Sequence, residues 1–331
     1  MDKPTLDAAA LLEPVEGGQY PIAPEESGVA WHYTDAQGFL GIVQSHQLWA
    51  TASLALNDTS EVRYGEEIIK DVWRLADKGN LSLTCVEFAQ HVLNFEFAEF
   101  AAAGLFVLSA SLDEDLLSQW RNYAGTDGFS LGIDMGVPLS ILNLSSVEPA
   151  VERFDVVLGS DDPTMPSIEP QWARVIYEES QQLQLAVRVV KFAVQTAQQK
   201  SGGLPEGTFG PGNWEDDVMS ARSMMLHAAA LLKHPAFVDE REVRFVCGKK
   251  YAGNVENYRV RDGRLVPYVG VAANRDGDSK WASDGSEPLP LVKVRYGPSS
   301  ESRGLQVATD LLERNGYDSL EVRQSRIPIA N

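Results

Sequence analysis

Four short segments of the chain carry side chains able to do chemistry. The first is Trp31-His32-Tyr33-Thr34. It is apolar enough for a strand, and alternation places His32 and Thr34 on one face and Tyr33 on the other. Asp35 follows as the N-cap of a helix. A strand that ends in His-x-Thr beside a helix start offers amide donors, an imidazole and a hydroxyl to an anion or a ribose. The plainer reading is a core histidine satisfied by a carbonyl. The second segment is Asn57-Asp58-Thr59-Ser60-Glu61 with Arg63 and Tyr64, which also reads as a helix cap with acids in the first turn. The third is Ser109-Ala110-Ser111 followed by Ser118-Gln119-Trp120-Arg121-Asn122-Tyr123. There Trp120, Arg121 and Tyr123 make a stacking wall with one cation, or Trp120 fills the core. The fourth is the strand start Glu240-Arg241-Glu242-Val243-Arg244. Its alternating Glu240, Glu242 and Arg244 share one face and either line a cleft or form an ion-pair ladder.

Other chemistries lack their signatures. There is no Gly-x-x-x-x-Gly-Lys-Ser/Thr, no Gly-x-Gly-x-x-Gly after a strand and no Gly-x-Ser-x-Gly. His32, His46, His91, His227 and His234 show no zinc spacing, and no metal is expected. A metal-dependent hydrolase or nuclease would have to use Asp58, Glu61, Glu240 and Glu242, which form no compact motif.

The elements that must position these groups follow from periodicity. Strands are expected at Val29–Thr34, Leu48–Thr51, Leu105–Ser109, Gly128–Asp134, Val151–Leu158, Ala173–Tyr177, Glu242–Cys247, Leu265–Gly270, Leu291–Tyr296 and Ser319–Val322. Helices are expected from Asp35 to Ser45, from Asn57, over Leu83–Ala102, at about 180–200 and 214–233, and over Ser300–Asn315. Asp113–Tyr123 reads as a short helix or turn. Ser201–Asn213 is Gly- and Pro-rich and reads as a mobile loop, and Ala272–Glu287 as an exposed one. The strands do not alternate regularly with helices. The expected class is α+β, with a mixed, mostly antiparallel sheet core and helical insertions. Residues 1–28 read as a flexible arm, and 29–331 as one domain with a helical insertion at about 180–234.

The 331 residues carry 47 acidic and 28 basic side chains, a formal charge of −19. Such a chain repels phosphate backbones, so non-specific nucleic-acid binding is not expected. A small phosphorylated ligand would need a local cation from Arg121, Arg63 or Arg244. Cys85 and Cys247 sit in apolar runs and read as buried free thiols. With no signal peptide and no apolar run of about 20 residues, the expected setting is cytoplasmic, away from membranes.

Taken together, the segments resemble the bacterial domain of unknown function number 2971. The resemblance runs through Trp31–Thr34, Gly38–Val43, Leu48–Thr51, Leu56–Glu61, Ser109–Ser111, Leu117–Tyr123, Gly128–Asp134 and Phe237–Arg244, covering about residues 30–248. Val243 departs from the pattern, which often has Trp there. A weaker resemblance, to the ADP-ribosyltransferase fold, implies an activity: NAD consumption by a transferase or glycohydrolase, as in a toxin or phage-defence effector. NAD would then be a substrate. That resemblance implies that His32 and Thr34 hold NAD, that Tyr123 or Trp120 stacks, and that Arg244 or Arg121 meets the pyrophosphate. It makes Glu242 the catalytic residue, with Glu240 the competing choice. Tyr33 and Asn57 join them as candidate binding residues. His32 and Glu242 should then line one cleft, under a closing loop at Ser201–Asn213. The alternatives are a non-catalytic nucleotide-sensing or interaction module and the metal-dependent hydrolase. The acceptor macromolecule stays open.

Overall fold

A computed structural model describes residues 10, 28–56, 60–79, 81–93, 105–142, 171–201, 215–248, 256–261, 263–274, 282–283, 287–298, 303–318 and 320–328. Asn57, Asp58 and Thr59, the expected strand at Val151–Leu158 and residues 202–213 of the expected closing loop lie outside them. The chain is α+β with a mixed, mostly antiparallel sheet. The strands are β1 (Val29–Thr34), β2 (Leu48–Ala52), β3 (Leu105–Ser111), β4 (Phe129–Asp134), β5 (Leu139–Leu142), β6 (Gln171–Arg174), β7 (Glu242–Gly248), β8 (Asn257–Arg261), β9 (Arg264–Ala273), β10 (Ala282–Ser283), β11 (Leu291–Tyr296) and β12 (Val322–Gln324). Only β10 with β5 and β11 with β12 pair in parallel among them. The helices are α1 (Ala36–Ser45), α2 (Ser60–Leu75), α3 (Leu83–Leu93), α4 (Glu179–Ser201), α5 (Glu215–Ala229) and α6 (Arg303–Arg314).

Strand β3 organises the sheet. Along one edge it pairs with β7 for its whole length, from Leu105↔Gly248 to Ser111↔Glu242. A strand has two edges, so β2 and β1 share the other. Strand β2 takes Phe106 and Val107, and β1 takes Ser111. The two therefore part beside Ser109, whose carbonyl has no strand partner there and must find another donor.

Alternation along β3 and β7 builds two cores. Phe106, Leu108, Ala110, Val243 and Phe245 face one side, together with Ala30, Leu131 and Ile133. Phe39 and Val43 of α1 and Ala308 and Leu312 of α6 cover that side. Leu105, Val107 and Val246 face the other, under α2, α3, α4 and α5. A third cluster of Trp31, Tyr33, Trp120 and Ala124 closes the end of the sheet. Helix α1 starts where expected, because the Asp35 carboxylate accepts the Gly38 amide at 2.7 Å.

Two expectations need correction. The stretch read as a loop from Ala272 begins inside β9, where Ala272 and Ala273 are buried against β5, and Ala282–Ser283 pairs with β5 as well. The terminal strand sits at Val322–Gln324, two to three residues later than read, because it pairs in register with Val294–Tyr296 of β11. Among the described residues no helix is long and apolar enough to cross a membrane.

His227 on α5 has no exposed surface, and burial holds its imidazole down at about 3. The unfolded chain binds a proton at this group near pH 6.5, which the fold refuses. Its contribution to stability is therefore complete above about 6.5 and is lost as the pH falls toward about 3. His32 is shifted in the same direction by burial. Thermal melts should show a falling midpoint between about pH 7 and pH 5, and His227→Leu should flatten that slope. An unchanged slope in the variant would assign the acid sensitivity to other groups.

Candidate ligand-binding site

The charged start of β7 is a buried ion-pair hub. Arg244, 2% exposed, forks onto Glu242: Nε donates to Oε1 at 2.7 Å and Nη2 to Oε2 at 2.9 Å. Its Nη1 donates to the Ala230 carbonyl at 2.6 Å. Lys233 Nζ donates to Glu242 Oε2 at 3.0 Å and to Glu240 Oε2 at 2.7 Å. Gln182 of α4 holds the segment that follows α5 by donating to the Ile176 and Lys233 carbonyls, and accepts from the Tyr64 hydroxyl. The Glu242 amide donates to the Tyr177 hydroxyl. Burial alone would raise the Glu242 carboxyl. The Arg244 and Lys233 charges, with hydrogen bonds from Arg244 and Ser109, outweigh that and hold it at about 2. Two cations meet two anions, and both Glu242 oxygens are engaged. This is the ladder reading of the fourth segment, with a lysine added from the chain before it.

His32 belongs to a different environment. It pairs with Leu131 of β4, and its side chain leaves the sheet on the Leu131 and Ala110 side. Glu242 pairs with Ser111 and points to the Val107 and Val246 side. The expectation that His32 and Glu242 line one cleft is therefore corrected: strand alternation puts them on opposite faces of the sheet. His32 Nδ1 donates to the Ser109 carbonyl at 3.1 Å, the acceptor left over where β1 and β2 part. Since a carbonyl only accepts, Nδ1 carries the proton. Burial keeps this imidazole below its ordinary value, with the Arg259 charge acting in the same sense.

The remaining predicted residues divide. Trp120 is fully buried, edge-on to Tyr33 at 4.9 Å, with Nε1 donating to Asp115 at 2.8 Å. It fills core and does not form a stacking wall. Tyr33 is buried beside it, donating its hydroxyl to the Asp113 carbonyl and accepting the Leu116 amide. Thr34 packs its hydroxyl on Gly38, where an added Cβ would lie 2.0 Å from it. Arg63 is exposed on α2. Tyr123 is 43% exposed and Arg121 is exposed.

Arg121 lines a cavity of about 830 Å³ with Leu116, Ser118, Asn122, Asp239 and Arg241. One wall is a single helical turn, Leu117–Gln119, that widens into a π-helical turn over Trp120–Ala124. The Gly125 amide closes that turn on the Trp120 carbonyl at 2.7 Å, and Gly125 sits at φ 72°. Such widened turns concentrate at functional sites, because the extra residue re-aims the side chains around it. Here Trp120 points into the core while Arg121 and Asn122 line the cavity. The other wall is the 3₁₀ turn Pro235–Glu240 and Arg241, which sits at φ 46°. Arg121 makes no ion pair among the described residues, and Arg241 reaches Asp113 only at 3.5 Å. The buried Ser118 Oγ has no hydrogen-bond partner there. Two guanidinium groups and an amide side chain suit an oxyanion, with Asp239 the one carboxylate in the lining.

Residues 119–245 match the family described as Protein of unknown function (DUF2971). The resemblance to that family is borne out over those residues. The DUF2971 segment opens on the π-turn wall and closes one residue past Arg244. It thus holds Arg121, Asn122, Arg241 and the four charged groups of the hub, and leaves out His32, Thr34, Tyr64 and Ser109. No curated protein and no solved structure matches the chain.

The sequence reading missed Lys233, Gln182 and Arg241. Lys233 had a signal, since it ends the apolar run Ala228–Leu232 and a lysine there needs a buried partner. Gln182 had none. Among the described residues no group of three or more His, Cys, Asp or Glu side chains is arranged to hold a metal.

Proposed function

We propose that this chain is a non-catalytic binding module for a phosphorylated, nucleotide-type small molecule, working in the cytoplasm. The observation that carries the reading is the cavity between the π-turn and the start of β7, where Arg121 makes no ion pair among the described residues. In a chain of charge −19, Arg121 without an ion pair there and Arg241 with only a long one to Asp113 leave the cavity with two cations against the single carboxylate of Asp239, a balance that favours an anion. The cavity volume falls within the range of small-molecule sites. Glu242 supports the reading from the other side, because its charge is already matched by Arg244 and Lys233 and is not available to stabilise a developing cation.

Calorimetric titration with ADP-ribose tests this. Arg121→Gln should weaken binding by ~10- to 100-fold, the loss expected for a charge-assisted pair to phosphate. Equal affinity in variant and wild type would remove the cavity from the account.

A second reading is the NAD-consuming transferase or glycohydrolase, as a toxin or phage-defence effector. One observation favours it: Ser109 relates the two faces, its carbonyl bound by His32 and its hydroxyl among the groups that lower the Glu242 carboxyl. This reading requires Glu242 to leave Arg244 and Lys233 during turnover.

A further inference from the structure

The hairpin of β8 and β9 carries three arginines, Arg259, Arg261 and Arg264, in a chain whose balance is strongly acidic. Arg261 and Arg264 pair directly across the hairpin, an arrangement that costs stability unless an anion sits near. Alternation puts Arg259 and Arg261 on one face. Arg259 Nη2 donates to Thr51 Oγ1 at 2.8 Å, and Arg261 Nη2 donates to the Ala55 carbonyl at 2.6 Å. Neither has a carboxylate partner among the described residues. Arg259 is half-buried and its Nε, shielded from solvent, has no hydrogen-bond partner there. Its guanidinium lies 5.3 Å from the Trp49 ring and 6.0 Å from the Tyr268 ring. The two rings are themselves 4.5 Å apart and tilted by 33°, with Trp49 39% exposed.

A planar cation clipped on two aromatic rings accounts for the packing but leaves the charges of Arg259 and Arg261 without a counter-ion among the described residues. We infer that Arg259, Arg261, Trp49 and Tyr268 form a second ligand site, which takes a nucleoside monophosphate. The phosphate monoester fits the pair of arginines, because it carries close to two negative charges at neutral pH and presents several acceptor oxygens to their Nη atoms. The base fits the exposed part of Trp49, where a flat ring adds stacking contact without needing a specific hydrogen-bond pattern. The site lies outside residues 119–245 and is separate from the Arg121 cavity.

The experiment uses the full chain carrying Arg121→Gln, so that heat from the Arg121 cavity is suppressed. It is titrated with AMP, inorganic phosphate and adenosine. AMP should bind more tightly than either fragment. Adding Arg259→Gln should weaken AMP and phosphate alike by ~10-fold or more. Adding Trp49→Ala should weaken AMP by a similar factor and leave phosphate unchanged. Arg259→Lys keeps the charge without the fork and should fall between wild type and Gln, with a thermal melt showing that it is folded. The inference is overturned if the Arg259→Gln and Trp49→Ala chains bind AMP as before. It is equally overturned if Arg121→Gln alone already abolishes AMP binding.

Discussion

Replacing Glu242 by Gln should destabilise the chain by about 3–5 kcal/mol, because it strips the counter-charge from a buried arginine. Arg244 is 2% exposed and cannot shed its proton, so in the variant its charge stays in the interior without its fork partner. Lys233 keeps Glu240 at 2.7 Å and is affected less. The melting temperature should fall by about 10 °C, taking a few degrees per kcal/mol for a chain of this size. Glu240→Gln is the comparison. Its side chain is 16% exposed and holds only Lys233, so about 1 kcal/mol is expected. Adding Arg244→Met to Glu242→Gln should recover part of the loss, since an apolar replacement of both partners removes the unpaired charge. The pH dependence of the wild type should carry the same signature. Glu242 contributes stability fully above its ordinary value near 4.5, and that contribution drains as the pH falls toward about 2. A Glu242→Gln chain that melts like the wild type would mean that the carboxylate is not the hub's structural partner.

The second large effect is expected at Trp120. Its ring is fully buried against Tyr33, and Trp120→Ala should cost about 3–5 kcal/mol through the cavity left behind. Trp120→Phe keeps the edge-on ring contact but loses the hydrogen bond to Asp115 and part of the buried ring volume, so about 2 kcal/mol is expected. Asp115 remains held by Ser325 and by the Arg326 amide, which limits the damage. Ligand affinity separates core from contact. Trp120→Phe should bind ADP-ribose as the wild type does, because no part of the ring reaches the cavity. Trp120→Ala should lose affinity only as the π-turn shifts and carries Arg121 with it. A Trp120→Phe chain with full stability and weakened binding would restore the ring to the stacking role.

How far the sequence carried depends on the range of each interaction. Strand β1 and helix α1 were legible because their signals are local: an alternating strand, then Asp35 as cap. Strand β11 was read at its observed bounds for the same reason. Strands β5 and β8 were missed. Leu139–Leu142 has four buried residues and too few positions to show a period, and Asn257–Arg261 is an edge strand rich in arginine. The common face of Glu242 and Arg244 followed from alternation. What they face did not, since Lys233 and the Ala230 carbonyl reach them by tertiary packing. His32 shows the limit most clearly. Its strand face could be read relative to Tyr33, but its side relative to Glu242 depends on how β1 and β7 both pair with β3. The cavity was half legible: Arg121 was in view, while Arg241 enters through a left-handed backbone turn that no pattern announces.

The most direct measurement is to incubate the wild-type chain with NAD, follow nicotinamide by chromatography and record the heat of ADP-ribose binding on the same preparation. Saturable ADP-ribose binding that Arg121→Gln weakens is expected, with nicotinamide released no faster than in buffer alone. Catalytic release of nicotinamide that Glu242→Gln abolishes would contradict the binding-module reading.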